Sequence, residues 1–197
     1  WKEERDELLP IIDKVMSSGK FILETECEKF EESVAKLCGV KYAAAVNSGT
    51  DALMFSLVLS GIKKGDEVIT PSNSFISSTS SIVHIGAKPI FVDVLPNQNM
   101  DPSKIEDLIT KNTKAIMPVH LTGRVCDMGP ILEIAKRHNL KVIEDAAQAI
   151  GSKYKGKLTG SIGDIGCFST HPLKNLNACG DGGFITTNNV KIYEKIK

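Results

Sequence analysis

One lysine, Lys174, sits in the stretch Gly166-Cys167-Phe168-Ser169-Thr170-His171-Pro172-Leu173-Lys174-Asn175-Leu176, with the glycine-rich run Gly180-Asp181-Gly182-Gly183 close behind it. An apolar, strand-like start runs into a polar turn at His171-Pro172, and the glycines let backbone approach the amine. A lysine is a nucleophile only as the neutral amine, a form that partial burial beside Leu173 and Leu176 would favour. Taken alone, the segment reads first as a surface lysine in a loop, so other stretches must decide.

Asn47-Ser48-Gly49-Thr50-Asp51-Ala52-Leu53 places small hydroxyl residues and a glycine where a helix begins. Free backbone N–H groups and the positive end of the helix dipole suit a phosphate there, although Ser48 or Thr50 could simply be the N-cap. The GxxxxGK[ST] pattern of a P-loop is absent. In Pro71-Ser72-Asn73-Ser74-Phe75, Phe75 either stacks on a flat ligand or joins the core. In Glu144-Asp145-Ala146-Ala147-Gln148, a carboxylate at a strand end needs a cationic or protonated partner if it is buried, and Asp145 could otherwise cap the next segment. His120, in Val119-His120-Leu121-Thr122-Gly123-Arg124, reads as a hydrogen-bonded structural histidine rather than a catalytic one. Ser169 lies five places before Lys174. In chain order these are an anion cradle, an aromatic, an acid, a hydroxyl and an amine, the parts that pyridoxal phosphate requires.

The elements that would position them follow from periodicity. Helical spacing predicts helices over 5–17 and 26–37, with Pro10 interrupting the first pattern. Short apolar runs then alternate with helical segments: strands at 42–46, 67–70, 89–94, 115–119 and 141–144, and helices at 51–59, 74–85, 103–110 and 129–138. Such alternation implies an α/β fold with parallel pairing, helices on both faces, and ligands beyond the carboxyl ends of the strands.

The 197 residues are 42% hydrophobic and 24% charged, enough for one α/β domain with a sizeable core. The formal net charge is zero, which argues against a nucleic-acid footprint and against a polybasic membrane patch. Five cysteines without a CxxC pair read as reduced thiols, and four histidines lack metal-ligand spacing. No apolar run is long enough to cross a bilayer, and Trp1-Lys2-Glu3-Glu4-Arg5 does not resemble a signal peptide, so a cytoplasmic location is expected. The chain lacks an initiator Met and stops in a charged, helical-looking segment at 192–197, which leads us to expect a piece of something longer.

In this order the motifs resemble those of the DegT/StrS-type sugar aminotransferases, pyridoxal-phosphate enzymes of fold type I. The matching words are Phe21-Ile22 with Phe30-Glu31, Ser48-Gly49-Thr50-Asp51-Ala52-Leu53, Gly65-Asp66-Glu67-Val68-Ile69-Thr70-Pro71, Pro89-Ile90-Phe91-Val92-Asp93-Val94, Val119-His120-Leu121-Thr122-Gly123, Glu144-Asp145-Ala146-Ala147-Gln148-Ala149 and His171-Pro172-Leu173-Lys174-Asn175-Leu176. The resemblance implies a three-layer α-β-α cofactor domain around a mostly parallel sheet, without the family's smaller C-terminal domain. It divides the chain into an N-terminal helical segment (1–40), the cofactor domain (41–190) and the start of a helix leading onward (191–197).

By the same resemblance Lys174 would carry pyridoxal phosphate as a Schiff base and Asp145 would pair with the pyridine nitrogen. Gly49, Thr50 and Ser169 would take the phosphate, Phe75 would lie against the ring, and Gln148 would contact the cofactor near its phenolic oxygen or ring face. Glutamate would be the amino donor, a nucleotide-linked keto sugar the acceptor, and the working form a homodimer. The chain departs from the family pattern at Glu24 in Phe21-Ile22-Leu23-Glu24, at Leu173 and at Asp181. A sugar dehydratase relative, a non-catalytic pyridoxal-phosphate protein and a plain phosphate-metabolite domain remain as alternatives; Lys174 opposes the first, in which a histidine replaces the lysine.

Overall fold

The computed structural model describes residues 2–197, so Trp1 of the charged opening lies outside the described residues. Two helices come first, α1 (Arg5–Ser18) and α2 (Thr25–Cys38). Helix α1 runs through Pro10 and buries none of its residues, whereas α2 buries Val34, Ala35 and Cys38 against the sheet.

The sheet uses β1 (Tyr42–Val46), β2 (Glu67–Pro71), β3 (Lys88–Val92), β4 (Thr113–Ile116), β5 (Lys141–Asp145), β8 (Ile165–Ser169) and β9 (Gly183–Thr187). A separate short hairpin pairs β6 (Lys153–Tyr154) with β7 (Lys157–Leu158). Across the seven-stranded sheet the order is β1-β9-β8-β5-β4-β2-β3. Strand β9 is antiparallel to both its neighbours, and every other pairing is parallel. All strands but β9 therefore run one way, and their carboxyl ends form one rim.

Helices cover both faces: α3 (Gly49–Leu59), α4 (Ile76–His84) and α6 (Val190–Ile196) on one, α5 (Met128–His138) on the other. Strand alternation separates the two cores. Val68, Ala115, Ile143, Ile165 and Cys167 pack towards α3 and α4, while Ile69, Ile116 and Val142 pack towards α5. Continued along β5 and β8, this parity sends Asp145 and Ser169 to the α3/α4 side and Glu144 to the other.

Three sequence expectations need correction. Residues 103–110 form two 3₁₀ turns, Pro102–Lys104 and Glu106–Leu108, not one helix. The chain closes two successive i→i+3 turns and Ile109 already returns to extended geometry, so no i→i+4 ladder propagates. Strand β9 was not anticipated, because its Gly182-Gly183 approach reads as loop. Phe75, placed inside a helix by its spacing, instead precedes α4 as its N-cap.

Candidate active site

A cleft of about 370 Å³ opens at the carboxyl rim, and its lining includes Gly49, Thr50, Phe75, Asp145, Gln148, Ser169 and Lys174. All seven residues singled out from the sequence thus share one cavity. Their positions trace to different element ends: Gly49 and Thr50 to the start of α3, Asp145 to the end of β5, Ser169 to the end of β8.

Helix α3 leaves the N–H groups of Gly49 and Thr50 without intrahelical acceptors, since the Ser48 hydroxyl caps Asp51 N at 3.0 Å. The capping reading therefore holds for Ser48, and the N–H groups of Gly49 and Thr50 stay available to an anion. Gly49 is needed for close approach: a Cβ there would sit 2.7 Å from Ser169 Cβ. That contact brings the α3 N-terminus against the Ser169 hydroxyl. Thr50 Oγ1 lies 2.8 Å from Ser77 Oγ of α4, which ties a second helix to the same corner. Backbone donors, a helix dipole and hydroxyls converge as a phosphate requires.

Asp145 is 5% exposed, and among the described residues it has no ion-pair partner within bonding distance. Ser78 Oγ donates to its Oδ2 at 2.7 Å, and Ala147 N donates to its Oδ1 at 3.2 Å. The expected cationic or protonated partner is therefore replaced by two neutral donors. Burial pushes the carboxyl above its ordinary range; the Ser78 and Ala147 hydrogen bonds oppose that, as do His120 and Lys174 more weakly. A cationic ring N–H placed in the cleft would satisfy this carboxylate.

Glu144, next along β5, is fully buried and saturated. His120 Nε2 donates to its Oε2 at 3.0 Å and Gly160 N to the same oxygen at 3.0 Å, while Ile162 N and Gly163 N donate to Oε1 at 2.8 and 2.7 Å. Cys126 N donates to His120 Nδ1, which leaves the His120 proton on Nε2. The structural reading of His120 holds, although its ring also reaches the cleft wall.

Lys174 is partly exposed in a turn closed by its own N–H, which donates to His171 O at 2.8 Å. The expected apolar jacket is missing: Leu173 is 88% exposed, and Leu176 packs instead near Phe168 and Phe184. Phe75 is 68% exposed on the cleft, so the core reading of that ring fails. Gln148 Oε1 accepts from Thr122 N at 2.8 Å, a bond that orients its amide NH₂ away from Thr122. Sequence reasoning missed Ser74, Ser77 and Ser78. Their signal was there in the serine-rich helix 76–84, since serine is a poor helix former that marks side-chain hydrogen bonding.

A mostly parallel seven-stranded sheet between two helical layers, with a cleft at its carboxyl rim, has the architecture of the large domain of fold type I pyridoxal-phosphate proteins. More narrowly, the chain belongs to the DegT/DnrJ/EryC1/StrS aminotransferase family, whose model matches residues 2–197. It is 50% identical over 197 residues to GDP-perosamine synthase of Caulobacter vibrioides, a match covering 98% of this chain and 52% of that protein. It is 49% identical over 191 residues to dTDP-3-amino-3,6-dideoxy-alpha-D-galactopyranose transaminase of Aneurinibacillus thermoaerophilus, covering 96% and 53%. The solved structure of NtdA from Bacillus subtilis with bound cofactor PMP superposes with a TM-score of 0.94 at 41% identity, covering 100% of this chain and 44% of that one. The chain spans about half the length of the curated relatives it matches.

Proposed function

We propose that this chain is the cofactor domain of a pyridoxal-phosphate-dependent aminotransferase that moves an amino group from glutamate to a nucleotide-linked keto sugar. The observation that carries the reading is the shared cleft, in which a half-satisfied buried acid, an accessible lysine and a helix N-terminus meet. Relatives named for amino-sugar synthesis on GDP and dTDP carriers support the substrate class.

When bound, pyridoxal phosphate supplies an aldehyde carbon that exchanges amines and a ring that accepts electrons. The N–H groups of Gly49 and Thr50, with the Ser169 hydroxyl, would hold the phosphate. Asp145 would keep the proton on the ring nitrogen. Phe75 would cover one ring face, and the Gln148 NH₂ would donate towards the phenolic oxygen. Lys174 would bind the aldehyde carbon through Nζ, and as a free amine the same Nζ would take and return the proton of the donor Cα. The same groups acting in reverse would aminate the keto sugar.

A homodimer is part of this reading, supported by Phe55, Val58, Ile76 and Val83, exposed apolar residues on α3 and α4. No described helix is long and apolar enough to cross a membrane, and the buried Cys38, Cys126 and Cys167 are free thiols, in keeping with a cytoplasmic location. The decisive experiment is an absorbance spectrum of the protein with pyridoxal phosphate before and after glutamate, with Lys174→Ala as control. A visible band that glutamate bleaches in the wild type alone is expected. A colourless wild-type protein refutes the reading, and a stable band that glutamate never alters reduces it to a cofactor-binding protein.

A further inference from the structure

Helix α4 contributes a chain of hydroxyls that ends on the acid. Ser78 is buried and donates to Asp145 Oδ2 at 2.7 Å, across 67 positions of sequence. Its own oxygen lies 2.7 Å from the Oγ of Ser74, which precedes the helix, and Ser74 lines the cleft. A hydroxyl has one proton to give. Ser78 spends its proton on Asp145, so Ser74 must donate to Ser78, and the chain runs Ser74 to Ser78 to Asp145. We propose that Ser78 is a positioning residue for the cofactor ring: held by Ser74, it fixes the plane of the Asp145 carboxylate so that its remaining lone pairs meet the ring nitrogen.

Three observations carry this. The carboxylate has two donors for about four lone-pair sites, Ser78 on one oxygen and Ala147 N on the other, and the pair pins its rotation. Ala147 N belongs to the segment after β5 and Ser78 to α4, so the plane is set by two independent elements. Last, α4 has serines at 77, 78, 80 and 81, but Ser77 turns to Thr50, Ser81 Oγ donates to Ser78 O, and only Ser78 reaches the acid. Ser78 also pulls against the burial that raises the Asp145 carboxyl, favouring the charged form that a protonated ring needs. Around that carboxylate stand His120 beyond β4 and Lys174 beyond β8, with Cys167 beside it on β8 and Glu144 preceding it on β5.

The inference rests on the proposed function, and its test is separable from it. The full-length protein, stripped of cofactor, is titrated with pyridoxal phosphate and with the analogue that carries carbon in place of the ring nitrogen. Wild type should prefer the nitrogen-containing cofactor; if it binds neither, the proposed function fails. In Ser78→Ala that preference should fall about tenfold, the scale of one buried hydrogen bond to a charged group, with analogue affinity unchanged. Ser78→Thr, which keeps the hydroxyl, should restore it. An unaltered preference in Ser78→Ala overturns the assignment, as does an equal loss for both compounds or a failure of Ser78→Thr to restore it.

Discussion

Replacing Asp145 with asparagine should stabilise the cofactor-free protein while disabling the proposed aminotransferase activity. The carboxyl is 5% exposed and meets only two neutral donors, so its charged form is undercompensated, with about half of its lone-pair sites empty. An asparagine fits the same network: its oxygen can accept from Ala147 N, its NH₂ can donate to Ser78 Oγ, and Ser78 can turn its proton to Ser74. The exchange removes an undercompensated charge, and relief of about 1–2 kcal/mol is expected, a fraction of the cost of breaking a buried pair. For a chain of 197 residues that is a rise in Tm of about 2–8 °C.

The pH dependence carries the sign. Burial makes the folded carboxyl take up its proton above the ordinary aspartate range. As pH rises from that range through the raised folded pKa, the native state holds more protons than the unfolded one, so wild-type stability falls. The Asp145→Asn advantage should therefore be absent below the ordinary aspartate range and grow as pH rises above it, up to the raised folded pKa. With cofactor bound the order reverses, and turnover should drop by roughly a hundredfold or more, the scale of losing one aligned electrostatic contact to the reacting system. Differential scanning calorimetry across pH, with and without pyridoxal phosphate, and steady-state kinetics check both halves. If cofactor-free Asp145→Asn melts at or below wild type at neutral pH, or turns over within a few-fold of it, this account of Asp145 is wrong.

Glu144→Ala should cost about 3–5 kcal/mol in chemical denaturation, because it strands His120 Nε2–H and the N–H groups of Gly160, Ile162 and Gly163 in the interior. Gly49→Ala would force its Cβ to within 2.7 Å of Ser169 Cβ; a loss of about 1–3 kcal/mol and at least a tenfold weaker retention of pyridoxal phosphate in equilibrium dialysis are expected. Phe75→Ala should leave the melting temperature of the cofactor-free protein within error, since the ring is 68% exposed, yet weaken cofactor binding several-fold in the same assay.

The rim was legible because strand ends announce themselves in an α/β sequence. Each short apolar run stops at a polar word, and the words beginning at Asn47, Glu144 and Ser169 lie where the sheet places its cleft. Legibility failed where a partner is distant. Nothing local marks Ser78 as the hydroxyl that meets Asp145, since the meeting depends on how α4 lies over β5. It failed again at β9, whose five residues are all buried, because glycines chosen for close packing look the same as glycines in a loop. A Cβ on Gly183 would strike Ser48 O at 2.6 Å and Phe168 O at 2.7 Å, so that glycine serves the approach of α3 and β8 to β9. The missing jacket around Lys174 is a failure of another kind: Leu173 is adjacent in sequence, yet in a turn adjacent side chains diverge.

Glu144 and Asp145 show how one strand divides structural from chemical work. Alternation sends the two carboxylates to opposite faces, and both are buried. Glu144 receives four donors for its four lone-pair sites, so it has nothing left to offer a ligand and fastens β5 to the 160–163 turn and to His120. Asp145 receives two, and its unfilled sites belong to a residue that lines the cleft. Burial therefore has opposite meanings on neighbouring residues. What separates them is the number of donors the fold supplies, and by that measure the incomplete shell at Asp145 leaves room for a cationic N–H, as the proposed function requires.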